Sequence, residues 1–206
     1  MPSKAGFKHE KRVDFCFFIE PRDSNDVKLI TAARQSDPYG SINHTDSTPL
    51  LDSPIALTIE TKRPSGNADE AMYQMEAWLA SHWIRLQQLV RKCRLQSGQT
   101  PVGLEEGKEQ QITPTSSARP PIFVPGIIIH GHDWYFVAAT MGKARLEGGW
   151  ESVVWSKISI GSTDTLLGMV RIITAVQRLA HWSALIYWPW FKQLISDAMQ
   201  SHQDQW

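Results

Sequence analysis

The chain has 206 residues, 42% of them hydrophobic and 20% charged, and a formal net charge of zero. That composition suits one globular domain with a sizeable core and excludes a disordered or fibrous chain. The even charge balance argues against tight non-specific binding to nucleic acid, which needs clustered Lys and Arg, and two distant cysteines, Cys16 and Cys93, make no disulfide framework.

In chain order, residues 1–12 are polar and read as a flexible N-terminus. They lack the apolar core of a secretory signal, so an intracellular location (cytoplasm or nucleus) is expected. Val13-Asp14-Phe15-Cys16-Phe17-Phe18-Ile19 reads as a strand ending at Pro21, with Asp14 its only charge. Cys16 reads as a small buried residue rather than a reactive thiol. A short helix is expected over 26–35, with Val27, Ile30 and Ala33 on one side, and the Ser, Asp, Pro, Gly and Asn of 36–53 read as a loop.

Ile55, Leu57 and Ile59 alternate with Ala56, Thr58 and Glu60, the period of a half-buried strand. Side chains two apart on a strand share a face, so Glu60 and Lys62 point together, opposite the apolar set. Arg63-Pro-Ser-Gly-Asn67 closes this strand. Asn67 is expected to cap a long helix whose first turn holds Asp69 and Glu70. Ala71, Met75, Trp78, Leu79, Trp83, Leu86 and Val90 recur at three- and four-residue steps as far as about Arg94. Gln74 shares the inward side with Ala71 and Trp78. The last turns hold Arg85, Arg91, Lys92 and Arg94 with no acid. Their ordinary reading is dipole compensation, and their functional reading is a landing strip for phosphates.

Residues from about 96 to 121 follow no period and read as a flexible insertion. Strands are then expected over 122–129 and 134–140, joined by the turn His130-Gly-His-Asp133, and over 153–160. His130 and His132 have a zinc-like spacing without a third ligand, so a polar turn is the better reading. Ser162 or Thr163 is expected to cap a final helix running to about Tyr187, with Trp188, Trp190 and Phe191 as core and 196–206 as a tail. No apolar run is long enough to span a membrane. The order of elements predicts an α+β (α/β layered) fold, a single domain over 13–195 with a mixed central sheet flanked by helices.

An acid and an amine side by side on a buried strand are costly unless they pair, bind an ion or do chemistry. Phosphodiester hydrolysis needs hard oxygen ligands for a divalent metal, an activated water and a fixed cation for the charge that develops on phosphorus. Asp14 and Glu60 suit the first role and Lys62 the others, and Gln74 lies within reach of Lys62. Asp46 and Asp52 are rivals of Asp14 for the second acid.

Asp14, Glu60-Thr-Lys62 and a helical Gln74 resemble the PD-(D/E)XK nuclease superfamily. The resemblance narrows to the nuclease-like domains of filamentous fungi. It rests on Ile42-Asn-His-Thr-Asp46, Pro54-Ile-Ala-Leu-Thr-Ile-Glu-Thr-Lys-Arg-Pro64, Trp78, Pro125-Gly-Ile-Ile-Ile-His-Gly-His-Asp-Trp134, Trp155-Ser-Lys157, Gly161-Ser-Thr163 and Tyr187-Trp-Pro-Trp-Phe191. It implies a restriction-endonuclease-like core built on a four-stranded mixed sheet. It also implies Asp14 and Glu60 as ligands of Mg²⁺ or Mn²⁺, Lys62 acting on water or on the transition state, and Gln74 in support. Nucleic acid is the implied partner, with Arg63, Arg85 and Arg91 as contacts. Two other readings stand beside this one: a nuclease-like scaffold whose pocket holds an apolar small molecule, as in a biosynthetic cyclase, or a partner-binding module.

Overall fold

The structure is a computed structural model and describes residues 13–96, 123–144 and 150–203. Among the described residues five strands form one sheet in the order β1 (Phe15–Phe18), β2 (Ile55–Lys62), β3 (Val124–His130), β4 (Asp133–Ala144) and β5 (Trp150–Ser162). The β2–β3 pair is parallel and the other three pairs are antiparallel, so the sheet is mixed, as expected, with five strands rather than four. Helices α1 (Ser24–Gln35), α2 (Ala68–Gln96), α3 (Leu166–Trp182) and α4 (Trp188–Gln203) flank it. Two parallel neighbours need a crossover, and α2 lies between β2 and β3 in sequence.

The sheet has a core on each face. On one, Ala71, Met75, Leu79, Trp83 and Leu86 of α2 meet Ala56, Ile128, Val137 and Ala139 of the sheet and Phe191, Leu194 and Ile195 of α4. On the other, Leu57, Ile59 and Ile127 pack on Leu179 and Val176 of α3. The half-buried pattern read for β2 is therefore corrected. Ala56, Thr58 and Glu60 are as buried as Leu57, because α2 covers the side that looked polar. Contact there is close: a Cβ on Gly126 would come within 2.6 Å of Met75 Sδ, so glycine on β3 lets α2 settle onto the sheet.

Local chemistry explains most element ends. Asp23 caps α1 by accepting the amide of Asn25 (2.8 Å), and Asn67 Oδ1 caps α2 through the amides of Asp69 (2.9 Å) and Glu70 (3.3 Å). Gly131, at φ +61°, turns the β3–β4 hairpin. The cap of α3 is Thr165, which accepts the Gly168 amide at 3.0 Å, rather than Ser162 or Thr163. The sheet claims those two positions: β5 runs to Ser162, and the Thr163 amide bonds His132 O. The final helix also passes its expected end. Pro189 has no N–H to return, and just before it the helix widens into a π turn (Ser183–Tyr187), in which Trp188 N–H reaches Ser183 O. Helix α4 then continues to Gln203, through part of the stretch read as a tail. The insertion expected at 96–121 and the N-terminal residues 1–12 lie outside the described residues, apart from Gln96, the last residue of α2. Among the described residues no helix is long and apolar enough to cross a membrane.

Candidate functional site

Strand β2 carries Glu60 and Lys62 on the face that α2 covers. On the same face Thr58 Oγ1 touches Met75 Sδ at 3.4 Å. Lys62 Nζ lies 3.1 Å from Glu60 Oε1 and donates to Gln74 Oε1 at 2.8 Å. Gln74 sits one turn beyond Glu70 on α2, and its amide nitrogen is 3.5 Å from Glu70 Oε1. An acid, an amine, an amide and a second acid thus form one chain at the carboxyl ends of the parallel strands β2 and β3. In open α/β sheets ligands characteristically bind at that end.

Asp14 precedes β1. Phe15 is opposite Ile59 in the antiparallel β1–β2 pair, and one further step of that register brings Asp14 opposite Glu60. Its Oδ2 accepts from the Thr61 amide (2.8 Å) and the Thr61 hydroxyl (2.6 Å). The sequence did not mark Thr61 as a site residue, and it marked Glu70 only as an acid in the first turn of the helix. Thr61 stands between Glu60 and Lys62, and its hydroxyl was legible only as the middle residue of that triplet.

Electrostatics mark Glu60 as the strained group. The residue is 2% exposed. Burial pushes its carboxyl above the usual range, the Lys62 hydrogen bond and charge pull it back, and the Asp14 and Glu70 charges push it up again. Its Oε2 is buried with no hydrogen-bond partner among the described residues. An orphaned carboxylate oxygen at such a place is costly unless something occupies it.

That atom tests whether these residues suit a divalent ion. Among the described residues no group of three or more His, Cys, Asp and Glu side chains could hold an ion. Two carboxylates, those of Asp14 and Glu60, are what the described residues offer at the end of β2. Hard ions such as Mg²⁺ are commonly held by one or two carboxylates, with waters and phosphate oxygens completing the sphere. The open Glu60 Oε2 and the neighbouring Asp14 fit that donor set.

The rival acids lie elsewhere, and so does one of the expected phosphate contacts, Arg85. Asp52 pairs with Arg34 at 3.0 Å, and Asp46 is exposed in the loop before β2. Arg85 is corrected: it is 6% exposed and turned inward. Its Nη2 meets Asp37 Oδ2 at 2.8 Å and Ser41 O at 2.5 Å, so it ties the 37–46 loop to α2 and is closed to phosphate. Arg63 is exposed just past Lys62, while the Arg91 side chain lies outside the described residues. His130 Nε2 bonds Gly66 O (3.1 Å) and His132 Nδ1 bonds Thr163 Oγ1 (2.9 Å), which gives both histidines ordinary turn partners.

A second polar cluster lies further along α2. The His44 ring stacks on His82 (4.8 Å between centroids) and meets Trp78 edge-on (4.5 Å). Burial pushes both imidazoles down, His82 to about 4, with the His82 and Arg85 charges adding to the effect at His44.

Comparison with curated proteins and with solved structures gave no match. The family model of the PD-(D/E)XK nuclease superfamily matches residues 2–188, and the chain belongs to that superfamily.

Proposed function

We propose that the chain is a metal-dependent nuclease that hydrolyses phosphodiester bonds at the Glu60–Lys62 end of β2. The observation that carries this reading is the orphaned Glu60 Oε2, buried beside a lysine that Gln74 holds in place. Asp14 and Glu60 would hold Mg²⁺ or Mn²⁺, which supplies charge neutralisation of the phosphate and acidification of a water. Lys62 places a fixed ammonium where negative charge grows on phosphorus. Gln74 accepts one Lys62 N–H and so limits where the ammonium can sit. Burial under α2 removes bulk water from Glu60 and strengthens its interaction with Lys62. Arg63, exposed one residue beyond Lys62, is the cation placed to meet the substrate backbone.

The surroundings of Glu60 support this reading over a small-molecule scaffold. Its neighbours are charged groups and amides, whereas a closed cavity of Trp, Phe and Met would suit an apolar ligand. A cleft of about 530 Å³ lies beside Ala56, between Phe18 and Trp188, and contains none of Asp14, Glu60, Lys62 or Gln74.

The test is cutting of single- and double-stranded DNA and of RNA by the purified protein with Mn²⁺ or Mg²⁺. Cutting is expected with metal, is expected to disappear with chelator, and is expected to fall by at least about 10² in folded Glu60→Ala and Lys62→Ala. Cutting undiminished by either substitution overturns the proposal.

A further inference from the structure

The two carboxylates share a division of labour between their oxygens. Glu60 gives Oε1 to Lys62 and leaves Oε2 buried without a partner among the described residues. Asp14 gives Oδ2 to two donors of one residue, the Thr61 amide and hydroxyl, and among the described residues Oδ1 receives no hydrogen bond. We propose that Thr61 is a positioning residue. It pins one oxygen of Asp14 so that the other is presented, next to Glu60 Oε2, to a single divalent cation. The inference rests on the metal-dependent reading above.

Three observations carry it. First, β1–β2 pairing stops at Phe15 opposite Ile59, and the next Thr61 N–H facing β1 is taken by a side chain. The Asp14 carboxylate stands where a ladder rung would otherwise form. Second, Asp14 is exposed and lies outside the strand, so packing does not hold its side chain. Hydrogen bonds to an ionised acceptor are the strong ones, and two on one oxygen fix the plane of the carboxylate. Third, the step of the β1–β2 register after Phe15–Ile59 sets Asp14 opposite Glu60, so the two acids are cross-strand neighbours. Two acids held that close repel unless a cation lies between them.

The variants Thr61→Val and Thr61→Ser separate the hydroxyl from the methyl group, and both keep the backbone N–H. Mn²⁺ binding is measured first, without substrate, by the loss of the free-ion signal in electron paramagnetic resonance. Removing a hydrogen bond that orients a ligand typically weakens metal binding about 10- to 100-fold. That loss is expected for Thr61→Val and recovery for Thr61→Ser. The Mn²⁺ concentration for half-maximal cutting should rise by the same factor in Thr61→Val, with the rate at saturating Mn²⁺ largely restored. A merely structural threonine would lower the melting temperature and leave the metal dependence in place. Unfolding of the metal-free wild type, Asp14→Asn, Thr61→Val and the double variant reads the bond itself as a coupling between the two positions.

Unchanged Mn²⁺ affinity in folded Thr61→Val overturns the inference while leaving the nuclease reading intact. So does a Thr61→Ser variant as weak as Thr61→Val. Mn²⁺ binding that weakens as described, in a protein that cuts none of the nucleic acids, overturns the nuclease reading and leaves the role of Thr61 standing. A wild type that binds no Mn²⁺ overturns both.

Discussion

Helix α2 carries two polar clusters a few turns apart, and they have opposite characters. At its start, Gln74 reaches Lys62, and Lys62 reaches Glu60, whose carboxyl burial drives upward. Further along, Trp78, His82 and Arg85 meet His44, Ser41 and Asp37 of the loop before β2, and burial drives both imidazoles downward. Residues 74, 78, 82 and 85 follow one another at helical steps along one flank. Ala71, Met75, Leu79, Trp83 and Leu86 next to them lie in the core. Among the described residues both clusters keep buried polar atoms without a hydrogen-bond partner: Glu60 Oε2 in the first, and both His44 ring nitrogens, His82 Nδ1 and Trp78 Nε1 in the second. The first lies at the carboxyl ends of the parallel strands, whereas the second lies beneath a loop, where the Arg85–Asp37 ion pair is closed off on both sides. A polar stripe on a buried helix is thus not by itself a functional site. What marks the first cluster is its position at the strand ends and an unpartnered atom that belongs to a carboxyl beside a lysine rather than to a neutral ring.

Substitutions can break this contrast, and the largest effect should fall on the second cluster. Arg85→Ala strands the Asp37 carboxylate in a pocket where both side chains are 7% exposed. Removing one partner of such a pair costs about 3–5 kcal/mol. A denaturant titration should show that loss, and any protein that stays folded should keep its Mn²⁺ affinity. Unaltered stability would mean that the pair does not hold the loop.

Lys62→Ala is expected to act the other way round. Loss of a fixed cation at the reacting phosphate lowers kcat by about 10²–10³, or about 3–4 kcal/mol in the barrier. Stability should change less than in Arg85→Ala, because the Glu60 carboxyl, already raised by burial, can take up a proton once its partner is gone. Single-turnover cutting and thermal melting on one preparation check both parts.

Acid sharpens the comparison. The His82 imidazole falls from 6.5 to about 4 on folding. The unfolded chain therefore binds the proton first, and stability present above pH 6.5 is lost as the pH falls toward 4. The shift corresponds to about 3 kcal/mol. His44 moves in the same direction, and Arg85 beside it adds to the penalty. Melting of wild type and His82→Phe from pH 7.5 to 4 should show a shallower decline in the variant. Parallel curves would contradict the buried, neutral pair.

The smallest effect is expected at Glu60. Its folded carboxyl lies above the ordinary value of 4.5, so its contribution to stability is complete below that value and is lost as the pH rises through the folded value. Glu60→Gln should therefore melt higher than wild type at pH 7 while being inactive, and this advantage should vanish near pH 4. A variant less stable at pH 7 would show that the Lys62 pair outweighs burial.

Much of this was legible in the chain. The alternation Ile55–Leu57–Ile59 identified β2, and the offset of two from Glu60 to Lys62 put both on one face, as found. The step from Ala71 to Gln74 to Trp78 brought Gln74 to that face. These inferences work because strand and helix periods are local properties of the backbone. Arg85 shows where they stop. Its place among basic residues at the far end of a helix suggested a phosphate contact, yet Asp37 and the Ser41 carbonyl, more than forty positions earlier, fold over it.

Periodicity, caps and residue type thus determined the elements before α4, their order and the polar set at the end of β2, and the resemblance of the motifs implied the superfamily. Tertiary structure alone decided three further matters: that helices bury both faces of β2, which makes Glu60 a strained acid; that Asp14 is tied to Thr61 rather than paired with Lys62; and that Arg85 turns inward. Each depends on contacts between segments distant in sequence, and a local pattern carries no record of which partner will arrive.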